Sequence, residues 1–215
     1  MAARYVIFDL DDTLVHSGAV RLAFCQVATA WNIGPERVER ICDAMPGRPA
    51  QSVFAALGLD DRQAARATER FLIRLDELSE QAPAVPYPDA EETLRAVEGC
   101  GATMILSTGS PEARAHRVLA DAAWTVFDLV LGCGPDRRKG PSHFTAVASH
   151  LRAQGWTEHA AAIGDSPADM RLAAEFGVPV RIGVDRRGDA TKLRDHGATH
   201  VVRQRADDVP IIAAA

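Results

Sequence analysis

Short apolar runs alternate with helical patterns along most of this chain. Runs of β-branched and other apolar residues predict buried strands, and apolar residues spaced three or four positions apart predict helices between them. Such alternation is typical of the α/β class, in which helices cover both faces of a mainly parallel sheet. The predicted strands lie near residues 4–9, 102–108, 126–131, 159–164 and 178–182, with a short one near 199–202.

Residues 15–83 interrupt this alternation. They contain helical stretches near 17–31, 35–44, 49–57 and 60–81 but no convincing strand. One interpretation is that these helices simply pack on the sheet, but a single crossover between strands needs far fewer residues. We therefore predict two domains, an α/β core formed by residues 1–14 and 84–215 and a small all-α domain formed by residues 15–83.

The composition is that of a soluble globular protein, with 47% hydrophobic and 25% charged residues in a chain of 215. A net charge of −5 argues against a nucleic acid or an anionic membrane as partner. The four cysteines form no Cys-x-x-Cys pair, which favours reduced thiols in the cytoplasm. The first strand begins too early to leave room for a signal peptide, and no apolar stretch reaches the roughly 18 residues that cross a bilayer. We expect a cytoplasmic protein that is a monomer or a weak homodimer.

Three carboxylates follow the first predicted strand directly, in the segment Asp9-Leu10-Asp11-Asp12-Thr13-Leu14. Like charges this close repel each other, so a fold that keeps them at a strand end is expected to hold a cation there. Asp9 and Asp11 are two positions apart and would lie on the same side of an extended strand. They could then serve as nucleophile and proton donor around a metal ion. The alternative is an ordinary acidic surface turn.

This segment resembles the first motif, Asp-x-Asp-x-Thr, of the haloacid dehalogenase-like hydrolases, which are mostly phosphatases. The resemblance implies a Rossmann-like α/β core, a Mg²⁺ cofactor and three further motifs in a fixed order. It covers most of residues 1–14 and 84–200, and it is only schematic for residues 15–83. Because all the motifs follow predicted strands, they can converge at one edge of a parallel sheet.

The second motif is an apolar strand that ends in a hydroxyl residue, and Ile105-Leu106-Ser107-Thr108-Gly109 supplies it. The family pattern favours Thr108 followed by Gly109 as the phosphate-binding pair, with Ser107 as the alternative. A hydroxyl and backbone N–H groups at a strand-to-helix turn suit a phosphate oxygen. Ser110-Pro111 could at the same time form an N-cap with proline at the first helical position.

The third motif is a lysine before a helix, and Arg137-Arg138-Lys139-Gly140-Pro141 offers three basic residues. Basic runs are usually solvated surface, but the position in the series of motifs favours Lys139. The commoner family form is Lys-Pro-x-Pro. This chain has Gly140 after the lysine, so the register is open by one residue and Arg138 remains the alternative.

The fourth motif, Gly-Asp-x-x-x-Asp after an apolar strand, matches the segment from Gly164 to Asp169 without a gap. Asp165 at the strand end is expected to face the metal. Asp169, one turn into a helix that starts near Pro167, is expected to lie behind it and to steady a water molecule or Lys139.

The resemblance implies a role for each of these residues in phosphoryl transfer. Asp9 would attack phosphorus and form an aspartyl-phosphate, while Asp11 would protonate the leaving group and later activate water. Asp11 must be protonated for the first of these steps, and we expect the neighbouring carboxylates to favour that form. Mg²⁺ would be bound by the side chains of Asp9 and Asp165 and by the backbone carbonyl of Asp11, and Thr108, Gly109 and Lys139 would hold the phosphoryl group.

The helical residues 15–83 resemble the cap domain that one branch of this family carries between the first and second motifs. In capped relatives, a loop between cap helices often contacts the substrate, and Met45-Pro46-Gly47-Arg48-Pro49 is such a loop here. Arg48 could bind an anionic group on the leaving part of the substrate. A solvated loop arginine is the alternative.

Four functions are compatible with parts of this pattern. We favour a Mg²⁺-dependent hydrolase of a small cytosolic phosphorylated metabolite. A phosphosugar mutase of the same family would share every motif, whereas a dehalogenase would not need Asp11, Asp165 and Asp169 around a metal. A non-catalytic binding module would be expected to lack Asp9 or Asp11.

Overall fold

The structure is a computed structural model that describes residues 3–16, 18–45, 48–134, 137–203 and 207–214. Strands and helices alternate along the chain outside one purely helical segment. The strands are β1 (Tyr5–Phe8), β2 (Thr103–Pro111), β3 (Leu129–Cys133), β4 (Ala160–Gly164), β5 (Val180–Val184) and β6 (His200–Val202). The helices are α1 (Gly18–Ala28), α2 (Pro35–Ala44), α3 (Ala50–Ala56), α4 (Asp61–Gln81), α5 (Ala90–Gly99), α6 (Glu112–Asp121), α7 (Pro141–Leu151), α8 (Pro167–Glu175), α9 (Ala190–Asp195) and α10 (Asp208–Ala214), with 3₁₀ turns at Thr29–Trp31 and Trp156–His159.

The strands form one parallel sheet in the order β3-β2-β1-β4-β5-β6. The predicted class, a mainly parallel α/β sheet with helices, is therefore confirmed. Strand β1 lies in the interior of the sheet, with β2 on one side and β4 on the other. Since all strands point the same way, the segments that follow β1, β2 and β4 emerge at the same edge, where open α/β sheets bind ligands.

Apolar side chains of neighbouring strands pack together under helix α7. Ile7 is in register with Ile105 on β2 and with Ala162 on β4, and all three are buried. Phe144 of α7 stacks on Phe176 at 4.3 Å between ring centroids and belongs to the same cluster. This packing fixes α7 on the sheet, and α7 begins immediately after the basic segment of the third motif.

Two compact units are distinguished by their internal contacts, one formed by Met1–His16 and Val85–Ala215 and the other by Ser17–Ala84. The second unit consists of helices α1 to α4 around its own apolar core, in which the rings of Phe24 and Phe71 stack at 4.1 Å. Helix α4 begins at a capping box, in which Asp60 and Gln63 each accept a hydrogen bond from the other's backbone N–H. That this unit acts as a cap stays a prediction.

In the part of the chain that the structure describes, no helix combines the length and the apolar character that crossing a membrane requires.

Candidate active site

The first motif forms a tight loop directly after β1. The backbone N–H of Asp9 donates to the carbonyl of Ile163 at 2.9 Å, which carries the β1–β4 pairing one residue beyond the strand. Leu14 then donates back to Leu10 at 2.8 Å, and Asp12 between them has a φ of 56°. Aspartate tolerates this left-handed conformation better than most residues, so the sequence suits the turn. As a result Asp9 lies directly beyond β1, at the carboxyl ends of the parallel strands.

Lys139 joins the first motif to the fourth. Its Nζ lies 2.6 Å from Asp9 Oδ1 and 2.5 Å from Asp169 Oδ1. The lysine and both carboxylates are largely buried, with side-chain exposures of 15%, 10% and 9% respectively. The sequence-based preference for Lys139 therefore agrees with the position of its ammonium group, whereas Arg138 is exposed and donates to the Gly134 carbonyl at 3.3 Å.

Asp169 is oriented by the start of helix α8. Ser166 caps this helix: its hydroxyl accepts from the Asp169 N–H at 3.2 Å and lies 2.6 Å from Asp169 Oδ2, to which it donates. The other carboxylate oxygen is thereby left for Lys139. Gly164 allows this arrangement, because a Cβ at that position would lie 2.7 Å from both Cγ and Oδ2 of Asp169.

Asp165 lies next to the same group of carboxylates. Asp9, Asp165 and Asp169 each offer an oxygen within 4.8 Å of the others. Arg187, in the loop after β5, approaches Asp165 Oδ2 at 3.3 Å and also pairs with Asp12. An acidic cluster is thus balanced by cations that come from two different loops.

The pKa values at this edge of the sheet reflect buried negative charge. Burial raises the pKa of Asp9 to about 7, against the opposing effect of Lys139. Burial also raises the pKa of Asp165 well above its usual range, and the charges of Asp9 and Asp169 add to this effect. Burial alone would lower the pKa of Lys139, but Asp169 and Asp9 outweigh it and hold this pKa above its usual range. The site therefore favours a bound cation and keeps the lysine charged.

The donor set fits the Mg²⁺ that the sequence predicts. Mg²⁺ prefers oxygen ligands and usually takes only one or two protein carboxylates in addition to water and substrate oxygens. Asp9 and Asp165 supply such carboxylates, and their raised pKa values indicate charge that a divalent cation would neutralise. Asp169 is already held by Ser166 and Lys139, as expected for a residue behind the metal.

Asp11 has different partners. Both of its oxygens bind Arg114, with Nη2 at 2.9 Å from Oδ1 and Nη1 at 3.0 Å from Oδ2, and Ser110 Oγ donates to Oδ2 at 2.6 Å. The direct partners of the Asp11 side chain are thus a guanidinium and a hydroxyl, whereas the sequence leads us to expect neighbouring carboxylates. Its role as proton donor stays a prediction.

Thr108 and Ser107 lie at the end of β2 and use their hydroxyls differently. Ser107 Oγ is 2.9 Å from Nδ1 of His143, and both residues are buried. Thr108 Oγ1 accepts from the Ser110 N–H at 3.1 Å and thus belongs to the turn that also contacts Asp11. Of the two alternatives, Thr108 is thus the one whose hydroxyl is bonded to the turn next to Asp11. Its role in phosphate binding stays a prediction, as does the role of the exposed Gly109.

The predicted N-cap at Ser110 is not formed. Strand β2 continues to Pro111, and α6 begins at Glu112 without a capping side chain. The Ser110 hydroxyl does not cap α6 and instead forms hydrogen bonds with Asp11 and Arg114. The preference of Ser-Pro for a helix start is overridden by a charged partner from another motif.

Arg48 belongs to the helical unit and is exposed. Its backbone N–H donates to the Met45 carbonyl at 3.3 Å. Pro46 and Gly47 of the same predicted loop lie outside the described residues. The proposed contact between Arg48 and a substrate therefore stays a prediction.

Five residues around the site carry contacts that the sequence did not predict. They are Ser110, Arg114, His143, Ser166 and Arg187. Ser166 followed by Asp169 is a capping-box pattern that could have been recognised. The others reach their partners across the fold, and nothing in their local sequence indicates these contacts.

One known protein family matches most of this chain. The sequence model for the haloacid dehalogenase-like hydrolases matches residues 3–177. The chain belongs to the haloacid dehalogenase-like hydrolase family. This match includes all four motifs, so the resemblance seen in the sequence is confirmed.

Among the relatives of this haloacid dehalogenase-like hydrolase is a phosphoglycolate phosphatase from Rhodospirillum rubrum, 32% identical over 81% of this chain and 77% of that protein. Such relatives support the predicted enzyme class, a phosphatase. A structure described as that of a predicted phosphatase from Clostridium acetobutylicum superposes with a TM-score of 0.86 at 20% identity, over 99% of both chains. A β-phosphoglucomutase from Clostridium difficile shares the fold with a TM-score of 0.73 at 17% identity, over 95% of this chain and 92% of that one. The fold alone therefore does not separate hydrolase from mutase.

Proposed function

We propose that this protein is a Mg²⁺-dependent phosphomonoester hydrolase that forms an aspartyl-phosphate on Asp9. The observation that supports the proposal most directly is the position of Lys139, whose ammonium lies between Asp9 and Asp169. An anionic nucleophile and an anionic phosphate repel each other, and a buried cation beside the nucleophile offsets this repulsion. A non-catalytic module would not require such a charge at the end of β1.

Asp9, Asp165 and the backbone carbonyl of Asp11 would hold the metal ion. When bound, Mg²⁺ would supply positive charge that polarises the phosphoryl oxygens and orients the substrate.

The chain's own residues account for binding and proton transfer. Lys139 contacts Asp9 and would share its charge with the transferring phosphoryl group, whose other oxygens would be held by Thr108 and the Gly109 N–H. Asp9 attacks phosphorus, and Asp11 gives its proton to the leaving oxygen as the ester bond breaks. Asp11 then takes a proton from the water that hydrolyses the aspartyl-phosphate. Asp169 keeps Lys139 in place throughout.

The substrate is proposed to be a small phosphorylated metabolite, and phosphoglycolate is the first compound to test because curated relatives bear that activity in their names. Phosphoglycolate carries a carboxylate on the leaving part of the molecule. An arginine that binds this carboxylate would confer specificity, and Arg48 remains our candidate. A cytoplasmic location stays a prediction from the sequence.

Phosphate release from a panel of phosphorylated metabolites, measured with Mg²⁺ and with chelator, tests the proposed function. We expect Mg²⁺-dependent release from phosphoglycolate or another small phosphorylated acid. Release that is equally fast in chelator would contradict the role of the metal. The proposed function would be overturned if phosphate were released neither from any member of the panel nor from an aryl phosphate.

The role of Arg48 is tested by the ratio of kcat/KM for the best natural substrate and for an aryl phosphate. For a substrate with an anionic leaving group, Arg48→Ala should lower kcat/KM by an amount that corresponds to about 2–3 kcal/mol of lost transition-state stabilisation, the range of a charge-assisted hydrogen bond. For the aryl phosphate, kcat/KM should be nearly unchanged. Arg62→Ala, at another exposed arginine of the same helical unit, is the matched control. A ratio that is the same in wild type and Arg48→Ala would show that Arg48 is a solvated loop residue.

A further inference from the structure

Arg114 is buried beside the acid–base residue of the proposed reaction. It lies in the first turn of α6, its side chain is 1% exposed, and it binds both carboxylate oxygens of Asp11 in parallel. Ser110 completes the arrangement, because its hydroxyl donates to Asp11 Oδ2 at 2.6 Å and accepts from Arg114 Nη1 at 2.9 Å. The three residues form a closed hydrogen-bonded ring, which we call the Asp11 clamp.

Stability of the fold is a weak explanation for this arrangement. A guanidinium taken out of water loses solvation, and a single ion pair at best compensates for that loss. Arg114 also occupies the first turn of a helix, the end at which a positive charge is unfavourable. Among the described residues, its side chain finds hydrogen-bond partners only in Asp11 and Ser110, and its Nε has none. In the described part of the chain, the opposite charge that compensates for burying this guanidinium is that of Asp11.

The ring also distinguishes the two oxygens of Asp11. Oδ2 accepts two hydrogen bonds, from Ser110 Oγ and Arg114 Nη1, whereas Oδ1 accepts one, from Arg114 Nη2. A carboxylate oxygen has two lone pairs, so in this arrangement Oδ1 keeps one available. The Asp11 side chain is 19% exposed, so it stays partly accessible although Arg114 is fully buried.

We propose that Arg114, assisted by Ser110, is a positioning residue that aims Asp11 Oδ1 at the reacting oxygen in both proton transfers. This inference rests on the proposed phosphatase function. In the first transfer, the Asp9–phosphorus bond forms, the ester bond breaks, and the proton on Oδ1 goes to the leaving alkoxide. In the second, water attacks phosphorus, the Asp9–phosphorus bond breaks, and the proton of the water returns to Oδ1. The clamp holds the carboxylate by its opposite side throughout.

Leaving-group dependence separates this role from a merely structural one. An alkoxide needs a proton to depart, whereas a nitrophenolate departs without one. Arg114→Met keeps the unbranched apolar stem of the side chain and removes the guanidinium that forms the clamp. It should lower kcat/KM for an alkyl phosphate by roughly 100-fold, within the range that general acid catalysis contributes, and for a nitrophenyl phosphate by less than tenfold. Because the return of the proton is also impaired, nitrophenol should appear in a burst equal to the enzyme concentration.

A double-mutant cycle with Asp11→Asn tests whether Arg114 acts through Asp11. In the Asp11→Asn background, Arg114→Met should lower the alkyl phosphate rate by no more than about threefold, because residues that act through one another are not additive. Ser110→Ala removes the two hydrogen bonds of the Ser110 hydroxyl, to Asp11 and from Arg114, and retains the ion pair between Arg114 and Asp11. It should likewise lower kcat/KM more for the alkyl phosphate than for the nitrophenyl phosphate, but by a smaller factor than Arg114→Met. If Arg114→Met does not fold, Ser110→Ala and Arg114→Lys serve as the test.

Two results would overturn the inference. One is an equal loss on alkyl and nitrophenyl phosphates in Arg114→Met and Ser110→Ala. The other is a full, additive loss from Arg114→Met in the Asp11→Asn background. If the wild-type enzyme is active, either result refutes the positioning role of Arg114 and leaves the proposed phosphatase function intact. A wild-type protein that hydrolyses neither substrate would overturn the proposed function, and this inference with it.

Discussion

Gly164→Ala adds a single methyl group at the point where the fourth motif leaves β4. The new Cβ would lie 2.7 Å from both Cγ and Oδ2 of Asp169. Ordinary contacts between such atoms begin near 3.5 Å, so the Asp169 carboxylate must move by roughly 0.8 Å. A flexible side chain could yield, but this one is bound by Ser166 Oγ at 2.6 Å and by Lys139 Nζ at 2.5 Å. We expect the shift to release Lys139 from its position beside Asp9.

The size of the effect follows from the contact that is lost. A hydrogen bond to a charged group contributes about 1.5–3 kcal/mol, which corresponds to a loss of roughly 10- to 100-fold in rate if it is felt fully in the transition state. Displacements of this size at a catalytic group have effects of the same order. We therefore expect kcat/KM for an aryl phosphate to fall by roughly 10- to 100-fold in Gly164→Ala.

Gly183→Ala is the matched control. Gly183 lies beside Gly164 in the β4–β5 register, and a Cβ there would contact the side chain of Leu193 at 3.1 Å. This variant should lose some stability and retain kcat/KM within about twofold, since Leu193 is apolar core and not part of the site. The assay is steady-state phosphate release, with urea unfolding of both variants. Activity of Gly164→Ala within threefold of wild type would refute the coupling between Gly164, Asp169 and Lys139.

Three further predictions concern the charges around the site. Lys139→Met should lower kcat/KM by roughly 100- to 1000-fold, because it removes a preorganised cation from the reacting phosphoryl group. Arg138→Met is the control and should keep kcat/KM within about twofold of wild type. A larger loss of kcat/KM in Arg138→Met than in Lys139→Met would contradict the assignment of Lys139. Arg187→Ala should lower the Mg²⁺ concentration needed for half-saturation, because it removes a cation that competes with the metal for Asp165. Calorimetric titration with Mg²⁺ measures this, and weaker Mg²⁺ binding by the variant would contradict the competition. Burial, assisted by Lys139, lowers the pKa of His143 from 6.5 to about 4, so between these pH values the unfolded chain binds a proton that the folded chain does not. The free energy of unfolding should therefore fall from pH 6.5 towards pH 4 more steeply in wild type than in His143→Asn, and identical slopes in urea unfolding would show that His143 does not contribute.

The parallel sheet and the side of it on which the motifs meet are predictable from the sequence because they depend on local pattern. The apolar runs before Asp9 and Asp165 have the length and composition of buried strands, and a parallel sheet necessarily brings their carboxyl ends together. The boundaries were less certain. Strand β2 runs to Pro111, beyond its predicted end at residue 108, because Ser110 binds Asp11 and does not cap α6.

The contacts between motifs could not be predicted in the same way. The order of the motifs favours Lys139, but its bonds to Asp9 and Asp169 depend on how α7 packs on the sheet. Arg114 lies in the sequence of an ordinary amphipathic helix, and its partner is Asp11 on another strand end. Charge pairing across the fold has no periodicity, so only the structure reveals it.

In the proposed reaction Asp9 carries the phosphoryl group during turnover. This is measured by acid quenching of the enzyme during reaction with an aryl phosphate and Mg²⁺, followed by mass spectrometry of the peptide that contains Asp9. Asp11→Asn should increase the amount of this phosphopeptide, because hydrolysis of the intermediate needs the base.

Asp9→Asn is the control, since the amide has nearly the shape of the carboxylate but is a poor nucleophile. We predict a phosphoryl group on Asp9 in wild type and Asp11→Asn, none in Asp9→Asn, and no measurable turnover by Asp9→Asn. A phosphoryl group on a different residue, or turnover by Asp9→Asn within tenfold of wild type, would contradict the account.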